Sequence, residues 1–213
     1  MEPEIAERQH EERNQISGDL EKLRKYAIER GATDAKVIPT NLIVVDPRAR
    51  VKCMYPPCKW YGSSIMCPPH LWLTPDKTAE IVQRYKYAIL IRLVTPPQDL
   101  AGPEWTKLHI PHELKLKDIV TEVESAAFNS GYHLALGFGA GECAICLSKG
   151  LTCTAIGGGT CRTPFRARPA MEAAGIDVYT TVRNAGWKIY PIGATVDLAN
   201  VPVAALYGLV LVT

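Results

Sequence analysis

Apolar positions along this chain switch between helical and extended spacing, and the switching predicts an α/β fold. From Ile16, the positions Leu20, Leu23 and Ala27 recur at three- and four-residue steps, which marks one face of a helix. Glu21 and Lys25 pair on the other side, and Gly31 supplies a stop. Residues 35–38 and 42–45 read as two short strands separated by Pro39-Thr40-Asn41, with Asp46-Pro47 closing the second. Thr78 is placed to cap a helix carrying Ile81, Val82 and Tyr85. Residues 87–94 form a near-continuous apolar run broken by Arg92, the pattern of a strand buried on both faces.

Past Pro96-Pro97, residues 95–112 read as a polar connection, a lid or a partner surface. Leu116, Ile119, Val120, Val123, Ala126 and Ala127 mark the clearest amphipathic helix, which ends near Gly131. Residues 132–137 read as a strand running into Phe138-Gly139-Ala140-Gly141-Glu142-Cys143. Pro169 opens a helix that Gly175 stops, a further helix covers 178–185, and a last strand covers 203–212. Taken together the elements predict an α/β protein: a mixed sheet flanked by helices, with two cysteine-rich metal-binding loops. The organisation expected is an N-terminal helical segment over 1–31 and a single α/β metal-binding domain over 32–213.

The chain has 213 residues, of which 47% are hydrophobic, enough to build a core without a metal as its staple. Residues 1–15 are charged and lack the apolar stretch of a secretory signal; the apolar run 201–212 is short and interrupted by Pro202 and Gly208. The expectation is a cytoplasmic protein with no membrane span. A formal charge of +2 and the lack of interleaved basic and aromatic residues give no case for nucleic acid. Gly137, Gly139 and Gly141 alternate, but Cys143 and Cys146 stand where a dinucleotide-binding helix would begin.

The cysteines change the picture most. There are seven, an odd number, confined to 53–67 and 143–161. A disulfide framework favours an even set in a small secreted chain, so metal ligation or thiol chemistry accounts better for the grouping. Cys143 and Cys146 form a CxxC pair, with Cys153 and Cys161 following and Gly157-Gly158-Gly159 easing the return. Four soft thiolates suit an iron–sulfur cluster or tetrahedral zinc. Cys53, Cys58 and Cys67 hold three corners of a second centre, with Pro68-Pro69-His70 beside the last. A three-cysteine cluster leaves one iron open to a small substrate or to His70; His70 alternatively completes a zinc site. His109, His112 and Glu113 form another polar group, either a source of acid–base chemistry or plain surface, and Glu142 either acts near the metal or begins a turn.

These residues carry a resemblance. Lys52-Cys53, Cys58, Tyr61-Gly62 and Cys67-Pro68-Pro69, with Gly141, Cys143, Cys146, Cys153 and Cys161, resemble a family of predicted metal-binding proteins found largely in anaerobic bacteria and archaea, domain of unknown function 2284. Arg168-Pro169-Ala170-Met171-Glu172-Ala173 and Gly175-Ile176-Asp177-Val178 resemble that family's other signature. The resemblance implies cysteine-bound metal and names no reaction. The expectation is two [4Fe–4S] clusters on the seven cysteines, serving electron transfer with a redox protein partner. An iron–sulfur enzyme with an open iron, and a structural zinc or assembly protein, stand as the alternatives.

Overall fold

The computed structural model describes residues 2–193 and 196–213. Helix α1 (Glu2–Glu29) leads to strand β1 (Asp34–Pro39), helix α2 (Pro47–Met54), helix α3 (Pro75–Val82) and strand β2 (Tyr87–Thr95). Helices α4 (Pro97–Ala101) and α5 (Trp105–Asn129) follow, then strand β3 (Leu136–Phe138), helix α6 (Ala144–Leu147), helix α7 (Val178–Asn184) and strand β4 (Ala204–Leu211). The four strands lie in the order β1-β2-β4-β3 with antiparallel ladders, and one parallel bridge joins Gly139 to Ala170.

Both faces of this sheet are covered, as the unbroken apolar run of β2 requires. Ile89, Ile91 and Leu93 point to one side, where α1 presents Leu20, Leu23 and Ala27 and α5 presents Leu116, Val120 and Val123. Ala88 and Leu90 point to the other side and meet Met171, Ile176, Val178, Val182 and Trp187. Period two in the strand and period 3.6 in the helices thus divide one apolar sequence between two cores. Arg92, the polar interruption in β2, is paired with Asp34 at 3.2 Å and lies 4.9 Å from the centre of the Trp187 ring.

Helix α5 rests unusually close to the sheet. A Cβ on Gly208 of β4 would come within 2.6 Å of Val120, and one on Gly137 of β3 within 2.7 Å of it. Two glycines therefore make the seat for a β-branched residue of the helix. Ion pairs add to this seating of α5: Arg166 meets Asp118 at 2.5 Å, and Arg168 meets Glu124 at 2.6 Å. Arg168 thus has a packing role.

Several elements differ from their expected form. Residues 42–45 make no strand; Thr40–Leu42 is a 3-10 turn, and Val45 contributes a single bridge to Ile176. The 95–112 connection is largely helical, since α5 begins at Trp105 and keeps Pro111 within it. Pro169 opens no α-helix; only the turn Glu172–Ala174 follows. The helix-flanked sheet stands, but the two cysteine-rich metal-binding loops need correction. Cys53 is in the last turn of α2, Cys146 is within α6, and Cys143 and Cys153 stand immediately before helical turns. All seven are free thiols, at depths from buried to exposed.

Gly208→Ala is expected to destabilise the protein by about 1–3 kcal/mol, because Val120 has no room to retreat. Urea unfolding would show this as a lower midpoint at unchanged slope; an unchanged midpoint would mean that the helix is not held at this distance.

Candidate metal centre

The stripe of α5 that carries chemistry begins with His109 and continues with Glu113 and Lys117, each four residues after the last. That spacing stacks three side chains on one side of a helix. All three are buried, which corrects a surface reading of His109 and Glu113; His112, a quarter-turn away, is the one that turns out to meet Asp99 at 2.7 Å. Opposite the stripe runs the turn between β3 and α6, which brings in Glu142. The ligand atoms of His109, Glu113 and Glu142 lie within 4.8 Å of one another.

The turn is fitted to that meeting. Gly141 has φ +65°, a conformation that favours glycine, and a Cβ there would lie 2.0 Å from the carboxyl carbon of Glu113. Lys117, with none of its surface exposed, donates from Nζ to the carbonyl of Ala140 and so ties the turn to α5. On its other side the turn is pinned by Gly139, whose N–H donates to Pro169 and whose carbonyl accepts from Met171.

His109 defines the electrostatics. Its Nδ1 lies 2.5 Å from the carbonyl of Trp105, which can only accept, so Nδ1 carries the proton. In the neutral ring Nε2 is then a bare acceptor. It faces Glu142 Oε1 at 3.4 Å and Glu113 Oε1 at 4.0 Å. His109 Nε2, Glu113 Oε2 and Glu142 Oε1 are all buried without a hydrogen-bond partner. Acceptors facing acceptors in a dry place require something positive between them, a proton or a metal ion. Burial pushes Glu113 up to about 9, with Lys117 pulling against it and the charge of Glu142 adding to it.

One imidazole nitrogen and two carboxylates suit a divalent ion such as Zn²⁺, Fe²⁺ or Mn²⁺. The Nδ1–H bond to a backbone carbonyl is the outer contact that orients a ligating histidine. The residues present therefore fit a metal. They also open on one side to a cavity of about 250 Å³, walled by Trp60, Tyr61, Pro68, Trp105 and Glu172 together with Cys53, Cys58 and Cys67. Trp105 also packs on the His109 ring, centroids 5.1 Å apart.

This geometry corrects the expectation of two [4Fe–4S] clusters, and with it electron transfer and an oxidoreductase role. Among the described residues the donor atoms that converge are one histidine and two glutamates, and no three thiols come within the same distance. Nearness in sequence puts thiols on one stretch of chain, but helix periodicity and a tight turn decide which donors meet. Cys53, Cys58 and Cys67 face the cavity, while His70 is exposed and not among its lining residues. Burial pushes the Cys53 thiol up to about 11. Cys143 is buried beside Ile145 and Ala167, with Cys161 packed against them, and burial pushes its thiol likewise to about 11. Cys146 and Cys153 are half-buried nearby in sequence.

The family model described as predicted metal-binding protein (DUF2284) matches residues 36–212. The chain belongs to that family. No curated protein and no solved structure matched the chain. Among the described residues, no helix is long and apolar enough to cross a membrane.

Because Glu113 takes up a proton on folding, the metal-free protein should lose stability as pH rises from about 4.5, its ordinary value, toward 9. Glu113→Gln should flatten that slope and raise the melting temperature in chelator by roughly 3–6 °C at pH 8. A slope equally steep in Glu113→Gln would show that the charge is not confined there.

Proposed function

We propose that this protein holds a divalent transition-metal ion on His109, Glu113 and Glu142 and uses it on a small molecule admitted to the adjoining cavity. The observation that carries this reading is the meeting of three orphaned, buried acceptors at one edge of an accessible cavity. A metal bound there supplies Lewis acidity, polarising an oxygen of the small molecule.

The chain's own residues do the rest. His109 enters in the right tautomer because its Nδ1–H donates to the Trp105 carbonyl. Glu113 and Glu142 bring negative charge to the buried edge of the cavity. Lys117 offsets part of that charge without approaching as a ligand, since its ammonium is committed to the Ala140 carbonyl. Trp60, Tyr61 and Trp105 offer flat apolar surface that keeps bulk water from a bound molecule. A three-residue donor set beside a cavity resembles a working centre, which keeps a position open, rather than a closed structural one. In this reading the thiols of Cys53, Cys58 and Cys67 belong to the cavity wall. The small molecule is the partner this geometry supports.

Two experiments test the reading. Protein purified without chelator should carry about one transition-metal ion per chain by elemental analysis, and His109→Ala or Glu142→Ala should lower its affinity at least about 100-fold. Full occupancy in both variants would end the proposal. Gly141→Ala should lose the metal almost as completely, although residue 141 offers no ligand atom, because its Cβ displaces the Glu113 carboxyl.

A further inference from the structure

Glu172 is the one carboxyl of the cavity wall that the metal site leaves unused. It opens the 3-10 turn Glu172–Ala174 and lines the same cavity as the triad, yet its oxygens do not join the group that converges within 4.8 Å. Its neighbours Met171, Ala173 and Ala174 are buried, whereas Glu172 itself is exposed. The same side chain lines two further cavities. One, of about 190 Å³, carries the rings of Tyr179, Tyr190 and Tyr207. The other, of about 410 Å³, carries Arg48 and Lys52. Glu172 is therefore where the metal-side cavity adjoins the spaces leading away from it.

The carrier of Glu172 is fixed relative to the carrier of Glu142. Gly139 bridges Ala170, and Met171 donates its N–H to the Gly139 carbonyl at 3.1 Å. Two segments so joined bring Glu142 and Glu172 to the wall of one cavity. A carboxylate on the wall of that cavity, left out of the ligand set, is placed to take a proton from a molecule held there.

From this placement we propose that Glu172 is the proton acceptor of the centre, and that the site takes small neutral molecules bearing a weakly acidic O–H. For such a molecule held in the cavity beside Glu172, the O–H bond breaks. The electron pair stays on that oxygen, and the proton passes to a carboxylate oxygen of Glu172. Nothing is oxidised or reduced. The inference rests on the metal reading above and gives it a substrate class.

The test uses the full chain loaded with Co²⁺ and follows visible absorption at pH 7. Two probes are compared: acetohydroxamic acid, which must lose a proton to chelate, and imidazole, which need not. Glu172→Gln should keep the wild-type Co²⁺ stoichiometry, bind acetohydroxamic acid about tenfold more weakly, and bind imidazole as before. Glu172→Asp should recover part of the loss. Equal weakening toward both probes, or none toward either, would overturn the proposal; so would loss of Co²⁺ from Glu172→Gln, which would make Glu172 a ligand. A wild-type protein that takes up no Co²⁺ would instead remove the metal reading itself, so the two failures are distinguishable.

Discussion

Three electron-rich atoms, from His109, Glu113 and Glu142, are held facing one another, buried and without a hydrogen-bond donor. Left alone, that arrangement costs several kcal/mol, since each atom has given up hydration and gained no donor. The fold sustains it because the atoms are carried by elements fixed for other reasons. Helix α5 is seated by Leu116, Val120 and Val123 on a sheet whose glycines let it come close. The turn bearing Glu142 is held between α5 and the Pro169–Met171 segment. Folding energy from the two apolar layers thus holds together a donor set suited to positive charge.

The buried ammonium of Lys117 shows how that strain is limited. One helical turn beyond Glu113, it contributes the fixed cation that keeps the carboxylates from standing wholly unopposed. Its placement on the Ala140 carbonyl keeps it out of the triad itself. A lysine inserted directly between the carboxylates would neutralise them and close the site. At one remove it lowers the electrostatic cost of the folded state and still leaves the central position to an incoming ion.

Much of the architecture was legible from period alone. The Leu20–Leu23–Ala27 and Leu116–Val120–Val123 stripes are the helix faces that meet the sheet, and the 87–94 run is its central strand. Residues 42–45 misled because Ile43 is buried by packing and Val45, partly buried, makes one isolated bridge to Ile176 and no ladder. The site was harder to see. Cysteine grouping dominates the sequence, but it reports only adjacency along the chain. The His109–Glu113 pair had the four-residue spacing of two ligands on one helix, yet Pro111 and the prolines before it disguised that stretch as a connection. Nothing local in the sequence joins it to Glu142; that contact depends on the close approach of α5 to β3 and the turn after it. Membership of a predicted metal-binding family agrees with the chemistry while leaving the choice of donors to the fold.

The missing side chain at Gly141 has a consequence for how this centre can change. Because the space a Cβ would need is filled by the carboxyl of Glu113, anything larger at 141 requires a shorter residue at 113, besides bearing the strain of the left-handed backbone. The shorter residue in turn withdraws an oxygen from the triad. Positions 113 and 141 are therefore bound into one mutational unit: neither explores alternatives alone without losing the donor set, and remodelling one obliges remodelling the other.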